Sequence, residues 1–128
     1  MRLHQNIPLF RDAVRITAQQ MNIPSEFVEK DYWVTYALFT IFHNEIGKDT
    51  VFKGGTALSK CYHLIERFSE DIDLVVLRRE GELNNRLTTK IKTISDVVNA
   101  VFLFLLFPVF RISHMQINME ILFSYMLK

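Results

Sequence analysis

The chain has one cysteine in 128 residues. That scarcity excludes an internal disulfide framework, and Cys61 fits a reducing cytosol, so a cytoplasmic location is expected. Net charge is equally scarce, since 15 Lys and Arg against 14 Asp and Glu leave +1. No bulk attraction to nucleic acid or to a membrane follows, and any anionic ligand must be held by a local cluster. The four histidines, His4, His43, His63 and His114, lack metal-ligand spacing, which with a single cysteine argues against structural zinc. The N-terminus has no signal-peptide form, because polar and charged residues follow Arg2 where an apolar core is needed. Long apolar runs are missing too. The greasiest stretch, Val97 to Phe110, is uninterrupted only from Ala100 to Phe107, far short of the ~20 residues that span a bilayer. It reads as a buried helix or strand requiring a partner surface, with no membrane partner. Repeats and low-complexity linkers are absent.

What remains is a chain with 49% apolar residues, including 11 Phe, enough for one domain over 1–128 with a moderate core. Leu9, Phe10, Ala13, Val14 and Ile16 give Gln5 to Gln20 an amphipathic helical pattern. Asn22 to Ser25 breaks it, and Pro24 starts a second helix with Glu26 and Glu29 in its early turns. That helix has Phe27, Val34, Leu38 and Ile41 among its apolar positions and carries a Glu29-Lys30-Asp31 triplet. Such a triplet is ordinarily a solvated turn of helix. Gly47 reads as a helix C-cap. Thr50 to Phe52 reads as a strand, Lys53 to Thr56 as a turn, and Ala57 to Glu66 as a helix facing inward with Leu58, Cys61, Tyr62 and Ile65. Asp71 to Leu77 is the second strand and Leu83 to Val98 a further helix, with Leu87, Ile91, Ile94 and Val98 at helical spacing. Alternation of Ile117, Met119 and Ile121 with Asn118 and Glu120 suggests a late strand. The fold class is therefore α/β (α+β), a small mixed sheet with flanking helices.

Two local features carry chemistry. Gly54 and Gly55 lie between a strand and a helix, where glycine lets a backbone approach a ligand and a phosphate can be cradled. The spacing is not that of a Walker A loop, and by itself such a turn reads first as a structural device. The second feature is Asp71-Ile72-Asp73 inside an apolar run. Residues i and i+2 of a strand share a face, about 7 Å apart, which leaves Ile72 and Leu74 to the core. Carboxylates there must be solvated, paired or metal-bound. Solvated aspartates on an exposed edge are the plain reading. Mg²⁺ is the chemical one, because it takes carboxylate, water and phosphate oxygens, and a pair of such ions supports phosphoryl or nucleotidyl transfer.

The blocks "EKDYWVTYAL", "FKGGTALSK" and "RFSEDIDL", in that order, resemble the AbiEii-type nucleotidyltransferases. These are toxins of bacterial toxin–antitoxin and abortive-infection systems, built on a DNA polymerase β-like fold. The resemblance covers roughly Ile7 to Asn85. It implies Asp71 and Asp73 as catalytic metal ligands for Mg²⁺ and Gly54, Gly55 and Thr56 as the nucleotide-phosphate turn. Lys53, Lys60 and Arg67 would surround the nucleotide, Ser69 and Glu70 would shape the approach to the metal strand, and the Glu29-Lys30-Asp31 block would lie on the helix before the site. Polymerase β-like sites recruit a third carboxylate from a neighbouring strand. Glu120 is the candidate, set against the alternative that it faces solvent in a divergent tail. The implied reaction moves an NMP from an NTP onto an acceptor hydroxyl, on RNA such as tRNA, and the implied protein partner is a cognate antitoxin. Members of the family continue through a large helical C-terminal region. From about Val97 the chain no longer looks like them, so 97–128 reads as a divergent tail and the whole as a truncated or frameshifted copy, or a minimal relative. The rival expectation is a non-catalytic remnant or a nucleotide-binding module.

Overall fold

The computed structural model describes residues 2–62, 71–103 and 117–123. Helix α1 (Ile7–Met21) starts where the Asn6 side chain accepts from the Leu9 N–H at 3.2 Å, with Pro8 in the first turn, and ends on Asn22 in the left-handed region at φ 53°. Helix α2 (Ser25–Phe42) begins directly after Pro24, whose fixed φ suits a helix start, and carries Glu26 in its first turn. Strand β1 (Thr50–Lys53) leads without a gap into α3 (Gly54–Lys60). Strand β2 (Ile72–Arg78), helix α4 (Asn84–Leu103) and strand β3 (Ile117–Phe123) complete the order.

The sheet order is β1-β2-β3, with β1 antiparallel and β3 parallel to the central strand. This is the α+β architecture expected, and the late strand pairs alongside Asp73. Alternation along β2 sends Ile72, Leu74 and Val76 to one face, all fully buried. They join Phe10 and Val14 of α1, Trp33, Val34, Ala37 and Ile41 of α2, and Leu87, Ile94, Val98 and Val101 of α4 in one core. Each of these three β2 side chains contributes about 2 kcal/mol of burial. The core-facing set on α4 matches the helical spacing of the sequence, and the helix runs unbroken through Val97 to Leu103.

Four local expectations are corrected. Gly47 does not cap α2, which ends at His43. It lies in a 3-10 turn (Glu45–Asp49) pressed against the last turn of α2, where an added Cβ would come within 2.8 Å of the Phe42 Cα. Lys53 to Thr56 is not a separate turn, because α3 starts at Gly54. The buried face of α3 is Thr56 and Ala57, while Leu58, Cys61 and Tyr62 are exposed. The helix is anchored through small residues packed on the sheet, and its large ones look outward. Ile65 lies outside the described residues. On α1 and α2, Leu9, Ile16 and Phe27 are also exposed, and Ala18 and Trp33 take buried positions that the pattern did not mark.

No helix among the described residues is long and apolar enough to cross a membrane.

Candidate active site

The site grows from the join of β1 and α3. Backbone leaves Lys53 extended, and Gly54 turns it into the helix at φ 77°, a conformation that favours glycine. Space makes the same demand, because a Cβ on Gly54 would overlap the Asp73 carboxylate and lie 3.0 Å from its Cγ. Asp73 thus rests against the Gly54 backbone, and Lys53 is its register partner across β1 and β2. A second clasp lies beside the first. Thr56, 2% exposed, donates from Oγ1 to the Asp71 carbonyl at 2.7 Å. The Gly-Gly-Thr and Asp-Ile-Asp segments, fifteen residues apart at this bond, are therefore one local structure. Asp71 is exposed just before β2, Asp73 is half-buried on it, and Gly55 is half-buried in the first turn of α3.

The far end of α3 ties into α2. Lys60 Nζ donates to Asp31 Oδ1 at 2.5 Å and to Thr35 Oγ1 at 2.9 Å, and Thr35 Oγ1 donates in turn to the Asp31 carbonyl at 2.7 Å. Residues i and i+4 of α2 hold one ammonium between them. Its side chain is 19% exposed and that of Asp31 41%, so the pair stays open to water on the carboxylate side. The triplet that looked like a solvated turn is split in role. Asp31 reaches α3, whereas burial pushes the Glu29 carboxyl up, opposed by the Trp33 indole and by Arg11. Glu29 Oε1 and Trp33 Nε1 are both buried without a hydrogen-bond partner among the described residues.

The residues singled out in the sequence divide accordingly. Lys53, Gly54, Gly55, Thr56, Asp71 and Asp73 converge at the junction, and Lys60 stands at the other end of the short helix. Glu120 occupies the position opposite Val75 in the β2–β3 register, two residues on from the Asp73–Asn118 pair. Arg67, Ser69 and Glu70 lie outside the described residues. Among the described residues no three His, Cys, Asp or Glu side chains gather as a metal-ion set. Asp71 and Asp73 are a pair of hard oxygen donors, chemically suited to a divalent cation such as Mg²⁺. Thr35 was missed by sequence reasoning, though its signal was available: it stands four residues after Asp31 on the same helix.

A family model described as nucleotidyl transferase AbiEii toxin, type IV TA system, matches residues 36–106. The match takes in β1, the Gly54 junction, both aspartates and the described length of α4. It leaves out the Glu29-Lys30-Asp31 block, and it continues past Asn85 and Val97, where the resemblance read from the motifs fades. No curated protein matches the chain, and no solved structure does.

Proposed function

The chain belongs to the AbiEii family of nucleotidyltransferase toxins, whose model spans more than half of its 128 residues, and on that premise we propose that it transfers an NMP from an NTP to a hydroxyl of an RNA acceptor such as tRNA, the hydroxyl losing its proton and pyrophosphate leaving. The carrying observation is the double clasp, Gly54 against Asp73 and Thr56 on the Asp71 carbonyl. A glycine whose missing Cβ is filled by a carboxylate joins a segment suited to phosphates to one suited to a cation. Lys53 and Lys60 bring positive charge to the two ends of α3, and Arg67 is proposed as a further cationic contact, with Ser69 and Glu70 shaping the approach.

Asp71 and Asp73 are the residues that would hold Mg²⁺, with Glu120 as the third carboxylate. In the parallel register β3 places Asn118 opposite Asp73 and Glu120 two residues further on, opposite Val75. When bound, the cation supplies neutralisation of phosphate charge and a Lewis acid. The chain's own residues do the rest. Gly54 keeps the Asp73 carboxylate close to the junction, Thr56 fixes the backbone of Asp71, and Asp31 with Thr35 aims the Lys60 ammonium. Orientation of this kind lowers a transfer barrier by holding reactants in place. The toxin family implies an antitoxin partner, proposed here as a cognate protein, with the cytoplasm as the place of action.

The test is transfer. Purified protein, Mg²⁺ and each of four labelled NTPs are incubated with total RNA. Label appearing in RNA with one or more NTPs supports the proposal. Nucleotide-dependent thermal stabilisation without any labelled product favours a nucleotide-binding module or remnant instead.

A further inference from the structure

Beside the Lys60 contact, α2 forms one wall of a cavity of about 440 Å³ lined by Arg2, Tyr32, Thr35, Tyr36 and Phe39. Nothing in the family match or in the motif reading gives it a role. Its character differs from that of the junction. Tyr32 and Tyr36, one turn apart, present rings only 7° from parallel with centroids 6.4 Å apart. Phe39 extends the aromatic row and is 51% exposed, and the Arg2 guanidinium lies 5.5 Å from the centre of the Tyr36 ring. His4 Nδ1 shares a 2.7 Å hydrogen bond with the Tyr32 hydroxyl, which holds that ring in place. An aromatic-lined hollow with one cation at its side suits a planar π system better than an aliphatic ligand, because stacking and cation–π attraction both act on ring faces.

Position narrows the class further. Thr35 belongs to both places: it lines the cavity and accepts from Lys60 at 2.9 Å. Lys60 is six residues beyond Gly54, roughly 9 Å along α3 at 1.5 Å per residue. Lys60, whose ammonium reaches the cavity wall at Thr35, is thus rooted about one nucleotide's length along α3 from the segment assigned to phosphates. We infer that the Tyr32–Tyr36–Phe39 cavity binds the base of the incoming nucleoside triphosphate, with Lys60 and Thr35 as the bridge between the base and phosphate ends. This deepens the nucleotidyltransferase reading and rests on it. Stacking reads every base by its π face, so such a pocket is permissive among bases and sensitive to loss of its rings.

The experiment uses the full chain, calorimetry and two probes, an NTP and inorganic tripolyphosphate, which has the phosphates but no base. Wild type is compared with Phe39→Ala and Tyr36→Ala. Phe39 is half exposed, so its replacement leaves the fold intact, and melting temperatures are read alongside. The expected result is NTP affinity reduced about tenfold in the variants, with tripolyphosphate affinity unchanged. Equal NTP affinity in wild type and Phe39→Ala overturns the inference, as does a loss of equal size for both probes. Weakening confined to a single-stranded RNA oligonucleotide also overturns it, assigning the rings to the acceptor. Failure of the underlying reading is recognised separately, by wild type that binds neither probe.

Discussion

Charge gathers at both ends of β2, and the two gatherings are built in opposite ways. Near Arg78, Lys90 Nζ is hydrogen-bonded to Glu82 Oε2 at 2.8 Å and to the Leu77 carbonyl at 3.0 Å, and lies 3.2 Å from Asp49 Oδ2. Arg79 reaches Asp49 Oδ1 at 2.8 Å, and the Arg78 guanidinium donates twice to the Glu82 carbonyl. Lys90, Asp49 and Glu82 are all largely buried. Burial pushes the Asp49 carboxyl up, yet hydrogen bonds from Arg79 and Lys90 outweigh it and hold it below the ordinary value. The hydrogen bond from Lys90 and the Arg79 backbone N–H hold Glu82 down likewise. At the other end, Asp71 is exposed, Asp73 leans on a glycine, and the Lys60–Asp31 pair faces water. Charge tied into a mutual network across three elements holds a fold together, while charge set on a glycine junction is proposed to receive a ligand. The first end is a clamp joining the 3-10 turn, β2 and α4, and the second holds the residues proposed as the site.

Exchanging properties between the two ends breaks the comparison most visibly at Gly54. Gly54→Val forces a branched residue into positive φ and drives a Cβ into Asp73. A stability loss of about 2 kcal/mol should accompany complete loss of nucleotide transfer, read by thermal melting and by the labelled-RNA assay. Lys90→Met, at the clamp, should do the reverse. It leaves Asp49 and Glu82 without their shared cation and should lower the melting temperature by roughly 10 °C, with transfer per folded molecule unchanged.

These two positions also show how far the sequence could be read. Strands β1 and β2, the core face of α4 and the pairing of aspartates with glycines were legible because each has a local signature in period or residue type. The clamp was not, since Asp49 and Arg79 lie thirty residues apart and "RREGELNN" resembles any polar turn. The start of α3 was misplaced for a related reason. One glycine both turns the chain and begins the helix, so no spacer residues announce the boundary. The inward face of α3 was misjudged because hydrophobicity favoured Leu58 and Tyr62, whereas the close approach to the sheet admits only Thr56 and Ala57.

Acid sharpens the contrast. Asp49 and Glu82 have lowered pKa values in the folded chain, so their contribution is full above the ordinary values of 3.8 and 4.5 and is lost as pH falls through the lower folded ones. The gap in melting temperature between wild type and Lys90→Met should therefore be constant near neutrality and shrink below about pH 4. Lys60→Met, at the site, should reduce NTP affinity about tenfold, as expected for one charge-assisted phosphate contact, and barely move the melting temperature. The smallest effect belongs to Glu29, whose carboxyl is raised by burial. A raised carboxylate opposes folding while ionised, so Glu29→Gln should stabilise by a degree or two at pH 7. That gain should vanish as pH falls toward 4.5, where the Glu29 carboxyl of the folded wild type is protonated and as uncharged as the glutamine.

The central claim is that the two aspartates clasped to the Gly-Gly-Thr segment perform the transfer. It is tested most directly by labelled NTP incorporation into total RNA with Asp71→Asn and Asp73→Asn, circular dichroism confirming the fold. Each substitution preserves volume and removes one anionic oxygen donor. Activity should fall by at least about 100-fold in either variant, with melting temperatures close to wild type. Wild-type incorporation by both folded variants contradicts the assignment.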